Sequence, residues 1–554
     1  MMSGDVEHAG AVKYRAAVLR KLGRKARSVR TLNGNEIHVT LAGKEDAPDA
    51  CHFVSDELKT KLATVICTDE CQQGRGFVVR YVFGKENGED VFIFVTVNID
   101  AAEQSFPSVA LRIPAAALFE REIKDMFGLV PEGNPDTRPL VLHEHWPGDV
   151  HPLRKDFDGR TKVGRVEGRE YPFGKVEGEG VCEIPVGPVH AGIIEPGHFR
   201  FSVLGENIVN LETRLFYTHK GIEKLAETMN LDKVLLLSER ISGDEAVANS
   251  TAYCQAIEKA ARAEVPRRAL QTRAVCAEME RIYNHLGTLA GMVTDVAFSY
   301  GAARLNILKE RMMRLNEQVA GSRLLFGVNR IGGVGIDLKG KEKLVMDTTS
   351  SVLEDFNRVV SLLRNKSSVV DRLRNTGSIA RKVAGDLALV GVAARCAGID
   401  DDTRRDHPYG IYGELDIDKH HDTPQHLMEY EVEMQKRRGD ALSRFDVRAE
   451  EVVNSAGIIV RIINNLHDGE LVVPDVRDRL EPYRHALGYA ESHRGQTMHW
   501  VMIGENRDSL FRYKVRTASF VNWPAIEQAV LSDIVPDFPI VNKSLDLSYS
   551  GNDL

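Results

Sequence analysis

Apolar residues gather in short β-rich runs in the early part of the chain and recur by threes and fours through most of its later part. Short β-rich runs recur between about Ile37 and Ile113, among them Gly76–Phe83 and Asp90–Val97, and the Asn87-Gly88 pair between these two predicts a hairpin turn. Pro114 then predicts the start of a helix over Ala115–Phe127, which Gly128 closes. Both patterns fail over 159–180, where Gly, Lys, Arg and Glu dominate and a linker is expected. Beyond it, apolar residues at helical spacing predict helices over Leu270–Val296, opened by Glu264-Val265-Pro266, and over Leu305–Leu325. Ser238–Cys254 contains no Pro and reads as helical after Gly243, which places Ser242, Glu245 and Asn249 on one face. Asn329–Val334 reads as a turn, Asp406–Tyr409 as the start of a loop, and Lys514–Phe520 as β-like. The expected class is α+β: a basic segment 1–35, a small α+β domain 36–158, the linker 159–180, and a large, mainly helical domain 181–554 with small edge sheets.

Composition narrows the function more than the fold. At 554 residues two or three domains are expected, and 43% hydrophobic with 27% charged residues is ordinary for a globular protein. A net charge of −8 argues against nucleic acid as a partner. Seven scattered cysteines suggest a reducing compartment without a disulfide framework, and Cys67 and Cys71, with no second pair at ligand spacing, read as ordinary thiols. No apolar run approaches membrane-spanning length, and no secretory signal is expected. Lys13–Arg30 carries eight basic and no acidic residues, either a docking strip for an acidic surface or a solvated face. Asp416–Asp422 reads as a solvated loop rather than a metal site, and no Gly-rich phosphate loop supports direct dinucleotide binding.

Three segments carry resemblances. Glu120–Leu129, Asn134–Arg138 and His151–Phe157 resemble the signature of the smaller soluble connecting-arm subunit of respiratory complex I. Its charged residues are expected to order an extended tail against the next domain. Gly187–Phe201, continuing through Gly205-Glu206 to Tyr217–Lys224, resembles the large quinone-site subunit of complex I, and more closely the membrane-bound hydrogenase large subunits of the formate hydrogenlyase group. Ser238–Cys254 and Ser544–Asp553 resemble the metal-binding segments of the NiFe hydrogenase large subunit: Arg240, Gly243 and Asp546 match, while the four cysteine positions hold Ser242, Glu245, Ser548 and Gly551, and the histidine position holds Asn249. Arg494-Gly495-Gln496 stands where that family usually has Arg-Gly-Glu.

The resemblance implies a fusion of two subunits in a peripheral, cytoplasmic-side arm of a membrane-bound redox complex. Expected partners are an iron-sulfur small subunit, a ferredoxin-like iron-sulfur subunit, and antiporter-like and other membrane subunits. No cofactor is expected on this chain. A cluster is expected on a neighbour, quinone is a possible acceptor, and a NiFe centre is not expected, because nickel and low-spin iron need soft thiolates. The early and late segments are expected to meet in a pocket lined by Ser242, Asp244, Glu245, Asn249, Ser548 and the space at Gly551. There one of the adjacent carboxylates, Asp244 or Glu245, would carry a raised pKa, unless Asp244 faces solvent or pairs with Arg240. Glu195 and His198 form the second candidate group, with proton-relay and quinone-contact roles in the resembling families, although the spacing here differs from complex I and its quinone tyrosine falls at Gly243. His190 is expected to stabilise its loop. Two uses of the pocket stay open, an acceptor site or a non-catalytic coupling scaffold; active hydrogenase chemistry is the least supported.

Overall fold

The computed structural model describes residues 9–85, 89–190, 194–415 and 437–554. Helix α1 (Ala9–Leu22) leads into a five-stranded sheet of β1 (Ala26–Leu32), β2 (Glu36–Leu41), β3 (Thr60–Glu70), β4 (Gly76–Lys85) and β5 (Phe92–Ile99), in the order β1-β2-β5-β4-β3. The β-rich runs form strands, and β1 pairs with β2 in antiparallel register, so the sheet begins inside the basic segment. Asn87-Gly88 lies outside the described residues; its flanking strands pair antiparallel from Gly84↔Phe92 to Phe77↔Ile99. Basic residues of the first segment meet acids of the same domain, Lys21 with Glu57 at 2.5 Å and Lys25 with Asp46 at 3.1 Å. These are exposed pairs of small energetic weight.

Helix α2 (Ala116–Phe127) ends at Gly128, whose φ of +74° supplies the left-handed cap. Its charged residues pin the chain beyond it. The Asp125 carboxylate accepts three consecutive backbone N–H groups, from Leu140, Val141 and Leu142, at 2.8, 2.8 and 3.2 Å. Arg121 donates to the carbonyls of Arg138 and Pro139 at 2.9 and 3.0 Å, and Arg154 to that of Phe127 at 2.7 Å. A long irregular stretch is thus ordered by side chains that satisfy its backbone. The segment expected as a linker is also held: the Tyr171 ring lies 4.6 Å from the Arg214 guanidinium, and the Gly174 N–H donates to Glu212 at 3.0 Å.

The large domain opens with a three-stranded antiparallel sheet of β6 (Val181–Val186), β7 (His198–Leu204) and β8 (Asn207–Arg214). Its core is built on α3 (Ala246–Ala260), α4 (Arg267–Asp295), α5 (Ser299–Ala320), α6 (Glu342–Arg364) and α7 (Ala441–Asn464). Helix α4 is buried on nearly every face and packs between α5 and α7, its Met279, Ile282, Leu286 and Leu289 joining Leu305, Leu308, Phe445 and Ile459 in one cluster. Against α3 lies a second antiparallel sheet, β9 (His485–Ser492), β10 (Gly495–Ile503) and β11 (Leu510–Arg516). The chain closes with α8 (Phe538–Leu545) and the short α9 (Tyr549–Asp553).

Two sequence expectations shift at element ends. Helix α3 starts at Ala246 rather than after Gly243, so Ser242–Glu245 is a turn. The strand expected to run to Phe520 stops at Arg516, where Thr517 accepts the Phe520 N–H as the cap of a short helix, Ala518–Asn522. The domains are locked together at an edge strand. Outward carbonyls of β3 accept from buried arginines of β11, Arg512 Nε to Cys67 O at 3.1 Å and Arg516 Nε to Ala63 O at 2.8 Å, which covers an edge that would otherwise invite foreign strands.

Candidate functional site

Three separate pieces of chain converge at one point: the turn before α3, the end of α8 with the start of α9, and the turn between β9 and β10. The first is anchored to α4. Tyr283 Oη and Asn284 Nδ2 donate to the Asp244 carbonyl at 3.2 and 2.7 Å, and the Glu280 carboxylate accepts the Val247 and Ala248 N–H groups at 2.7 and 3.0 Å. Glu280 therefore satisfies the first free donors of α3, a task its own N-cap residue does not perform. The second piece turns at Asp546, a left-handed residue at φ +56° whose carboxylate accepts from Thr288 Oγ1 at 2.6 Å. Ser548 then caps α9, its Oγ accepting the Gly551 N–H at 2.8 Å.

Ser242 and Ser548, 306 positions apart, touch Oγ to Oγ at 3.0 Å. The Ser242 hydroxyl also lies 2.5 Å from Asp244 Oδ1. A Cβ added at Gly551 would stand 3.0 Å from Ser548 Oγ and 3.6 Å from Ser242 Cβ. Ser242, Ser548 and Gly551 meet at one point, and Glu245 follows in the same turn as Ser242, its N–H donating to the Ser242 carbonyl at 3.0 Å.

What the sequence alone did not place there is Arg494. From the β9–β10 turn its guanidinium reaches Asp244 Oδ2 at 2.7 Å, Glu245 Oε2 at 3.3 Å and Asp546 Oδ2 at 3.8 Å, and its Nε donates to the Asp546 carbonyl. Arg240, the partner expected for Asp244, instead pairs with Glu239 at 2.7 Å and covers the Phe326 ring. The two adjacent carboxylates part company. Burial alone would raise Asp244, but Arg494 and the neighbouring His493 hold it well below the usual carboxylate range. Burial raises Glu245, and Asp244 beside it adds to the rise against the pull of Arg494. Oε2 of Glu245 faces the guanidinium, and with its carboxyl raised by burial and by Asp244 against the pull of Arg494 and Ser492, Glu245 is the residue of the pair suited to hold a proton. His493 lies 3.6 Å from Asp546, its pKa pushed down to about 4 by burial and by Arg494, and stays a neutral neighbour.

Asn249 is turned away from this cluster. Its Oδ1 accepts from His499 Nε2 at 3.0 Å and Thr497 Oγ1 at 3.3 Å, and His499 in turn contacts Tyr513 Oη at 2.6 Å. The expected single face of Ser242, Glu245 and Asn249 is lost because the helix begins one residue after Glu245. Glu195 approaches from outside, its carboxylate accepting the Ser550 N–H of α9 at 2.8 Å from an exposed position. His198 does not join it: its Nδ1 faces the Gly187 carbonyl at 3.4 Å, its ring lies 5.3 Å from Phe173, and burial lowers its pKa. His190 holds its own loop through the Gly197 carbonyl at 2.8 Å. Asp416–Asp422 lies outside the described residues. All seven cysteines are unpaired, and burial raises both Cys67 and Cys71, the latter to about 12, away from thiolate character.

The donor set therefore does not fit a nickel-iron centre. It offers hydroxyls, carboxylates and a side-chain-free glycine where bridging and terminal thiolates are needed, and an arginine that brings positive charge to the place a cation would take.

This architecture is matched by two family models. Residues 41–163 match respiratory-chain NADH dehydrogenase, 30 Kd subunit, and residues 302–486 match respiratory-chain NADH dehydrogenase, 49 Kd subunit, which makes the class a complex I-type subunit pair on one chain. Similarity to curated proteins extends further. The chain is 35% identical to formate hydrogenlyase subunit 5 of Escherichia coli (strain K12) over 511 residues, 91% of this chain and 87% of the relative. It is 35% identical to hydrogenase-4 component G of the same organism over 91% of this chain and 86% of the relative. The NADH-quinone oxidoreductase C/D protein of Phocaeicola vulgatus is 28% identical over 82% of this chain and 87% of that protein. The chain belongs to the family of complex I-related and membrane-bound hydrogenase large subunits, a family of oxidoreductase subunits. A chain in the structure of the membrane-bound sulfane sulfur reductase (MBS), an archaeal respiratory membrane complex, shares the fold with a TM-score of 0.60 at 24% identity, over 68% of this chain and 99% of that one. Among the described residues no helix is long and apolar enough to cross a membrane.

Proposed function

We propose that this chain is the large peripheral-arm subunit of a membrane-bound, redox-driven ion-translocating complex, and that its former metal site now serves coupling rather than electron delivery. In this reading an iron-sulfur subunit and antiporter-like membrane subunits are its partners, and it sits on the cytoplasmic side, held to the membrane by them. The observation that carries the reading is the ionic bridge across the site: Ser242 and Ser548 in contact at 3.0 Å, with the Arg494 guanidinium bridging Asp244 and Glu245. An ionic cluster with one raised carboxyl can take up and release a proton as the charge on a neighbour alters. His198, turned towards Gly187 and Phe173, adds no donor to it.

The test is made on the purified complex in sealed vesicles, measuring reduction of a quinone analogue and ion uptake together. Glu245→Gln is expected to abolish redox-driven ion uptake while acceptor reduction continues, and His198→Ala is expected to change neither. If Glu245→Gln instead slows acceptor reduction by about a hundredfold, the loss typical of a missing general acid or base, the cluster is an acceptor pocket and the coupling reading fails.

A further inference from the structure

A cavity of about 530 Å³ runs along α3 from Ala248 to Lys259, between the N-terminal sheet and the large domain. That volume is in the range of small-molecule sites, which favour domain junctions. Its floor is the α3 stripe Ala248, Thr251, Gln255 and Lys259, residues three and four apart on one face. Apolar walls come from Leu270, Ala274 and Ala277 of α4 and from Ile411 opposite, with the Tyr489 ring at one end.

The charges around this space are unequally satisfied. Glu258 is taken by Arg273 at 2.6 and 3.0 Å and by the Gly332 N–H at 2.7 Å. Glu491 is taken by Arg395 at 3.1 Å and the Thr403 N–H at 3.2 Å. Asp90 accepts from Asn35 at 3.0 Å and Tyr489 Oη at 3.2 Å, with His407 at 3.3 Å. Arg262 and Glu264 stand exposed at the mouth with opposite charges. Lys259 differs. Its ammonium has three donors and among the described residues meets one acceptor, the Leu487 carbonyl at 3.0 Å, while it lies 4.6 Å over the Tyr489 ring. Gln255, one helical turn before it, accepts the Tyr489 N–H at 2.8 Å through Oε1, and its amide NH2 has no acceptor among the described residues. Burial lowers the Lys259 pKa against the opposing pull of Glu36 and of Asp90 on the cavity wall, and an acidic head bound beside the ammonium would add to that pull.

We infer that this cavity is a binding site for an organic anion with a flat apolar body, its acidic head held by Lys259 and Gln255 and its body packed between Tyr489 and the Leu270–Ala277 wall. The two donors lie beside the Tyr489 ring, Leu270, Ala274, Ala277 and Ile411 line the same space, and the carboxylates of Asp90, Glu258 and Glu491 on its walls are each held by protein donors. This site is independent of the ionic cluster and of the coupling reading.

The test is fluorescence titration of the purified full-length chain with 8-anilinonaphthalene-1-sulfonate, beside the uncharged N-phenyl-1-naphthylamine. One saturable sulfonate site is expected. Its affinity should fall about tenfold or more in Lys259→Gln, which removes a charge-assisted hydrogen bond, be kept in Lys259→Arg, and be lost in Ala277→Trp, whose indole fills the cavity. The neutral dye should bind the wild-type chain about tenfold more weakly. Absence of saturable binding, equal binding of the two dyes, or loss in only one of Lys259→Gln and Ala277→Trp overturns the inference. Should Lys259→Gln fail to fold, by comparison of its thermal transition with wild type, the dye comparison and Ala277→Trp decide the question.

Discussion

Replacing Arg494 by Ala is expected to destabilise the chain by about 3 kcal/mol at neutral pH, read from chemical denaturation of wild type and variant side by side. The guanidinium is buried and faces three carboxylates, from Asp244, Glu245 and Asp546. Its removal leaves their charge in a poorly solvated pocket, and breaking a buried pair typically costs about 3–5 kcal/mol. The lower figure applies because the Asp244 side chain keeps 35% of its surface exposed, and water there screens part of the loss. The pH dependence follows from the direction of the shift. Asp244 lies below its usual 3.8 when folded, so its stabilising contribution is present above that value and disappears as pH falls through the folded one. Arg494→Ala forfeits this contribution and raises the remaining carboxyls. The gap between variant and wild type should therefore be widest near about pH 7 and narrow as the solution is acidified and those carboxyls protonate. A deficit under about 1 kcal/mol, or one that widens in acid, would contradict an ionic cluster centred on this arginine.

The second large effect is predicted at a residue that touches none of the cluster's charges. Gly391 has a φ of +61°, and a Cβ there would lie 2.3 Å from Gly495 Cα and 2.4 Å from the Arg494 carbonyl. Gly495 reciprocates: its own Cβ would stand 2.7 Å from the Gly391 N. The turn that presents Arg494 is thus set by backbone lying on backbone. Gly391→Ala is expected to cost about 3 kcal/mol, combining overpacking against main chain with a left-handed backbone. It should also shift the Arg494 turn away from Asp244, which a structure of the variant would show directly. A variant as stable as wild type, with Arg494 still on Asp244, would mean that the turn is positioned by something other than this contact.

The parts of this molecule that were legible in the sequence are those with a local signal. Short β-rich apolar runs marked strands of the N-terminal sheet, and Gly128 marked the end of α2 through a backbone conformation that glycine adopts freely. The charged run Glu120–Asp125 announced a pinned tail, and Arg121 and Asp125 do hold it through backbone groups. The meeting of Ser242 with Ser548 came from a resemblance, because nothing in either segment alone indicates a partner 306 positions away. Arg494 could be seen as part of a triplet differing from a familiar one, yet its destination is set by how β9, β10 and the 391 loop pack, which no local pattern encodes. Element ends failed for the usual reason: the first turn of α3 is determined by Glu280 from another helix, and the end of β11 by a Thr517 cap that β-propensity cannot sense.

Ser242, Glu245, Ser548 and Gly551 stand at positions that resemble metal-ligand positions and offer none of the sulfur donors that a nickel-iron centre needs. Elemental analysis of the purified complex tests the absence of such a centre most directly, with nickel quantified against the amount of this chain. Nickel is predicted at trace levels that do not rise when the metal is supplied during growth. Nickel in stoichiometric amount with this chain would contradict the claim.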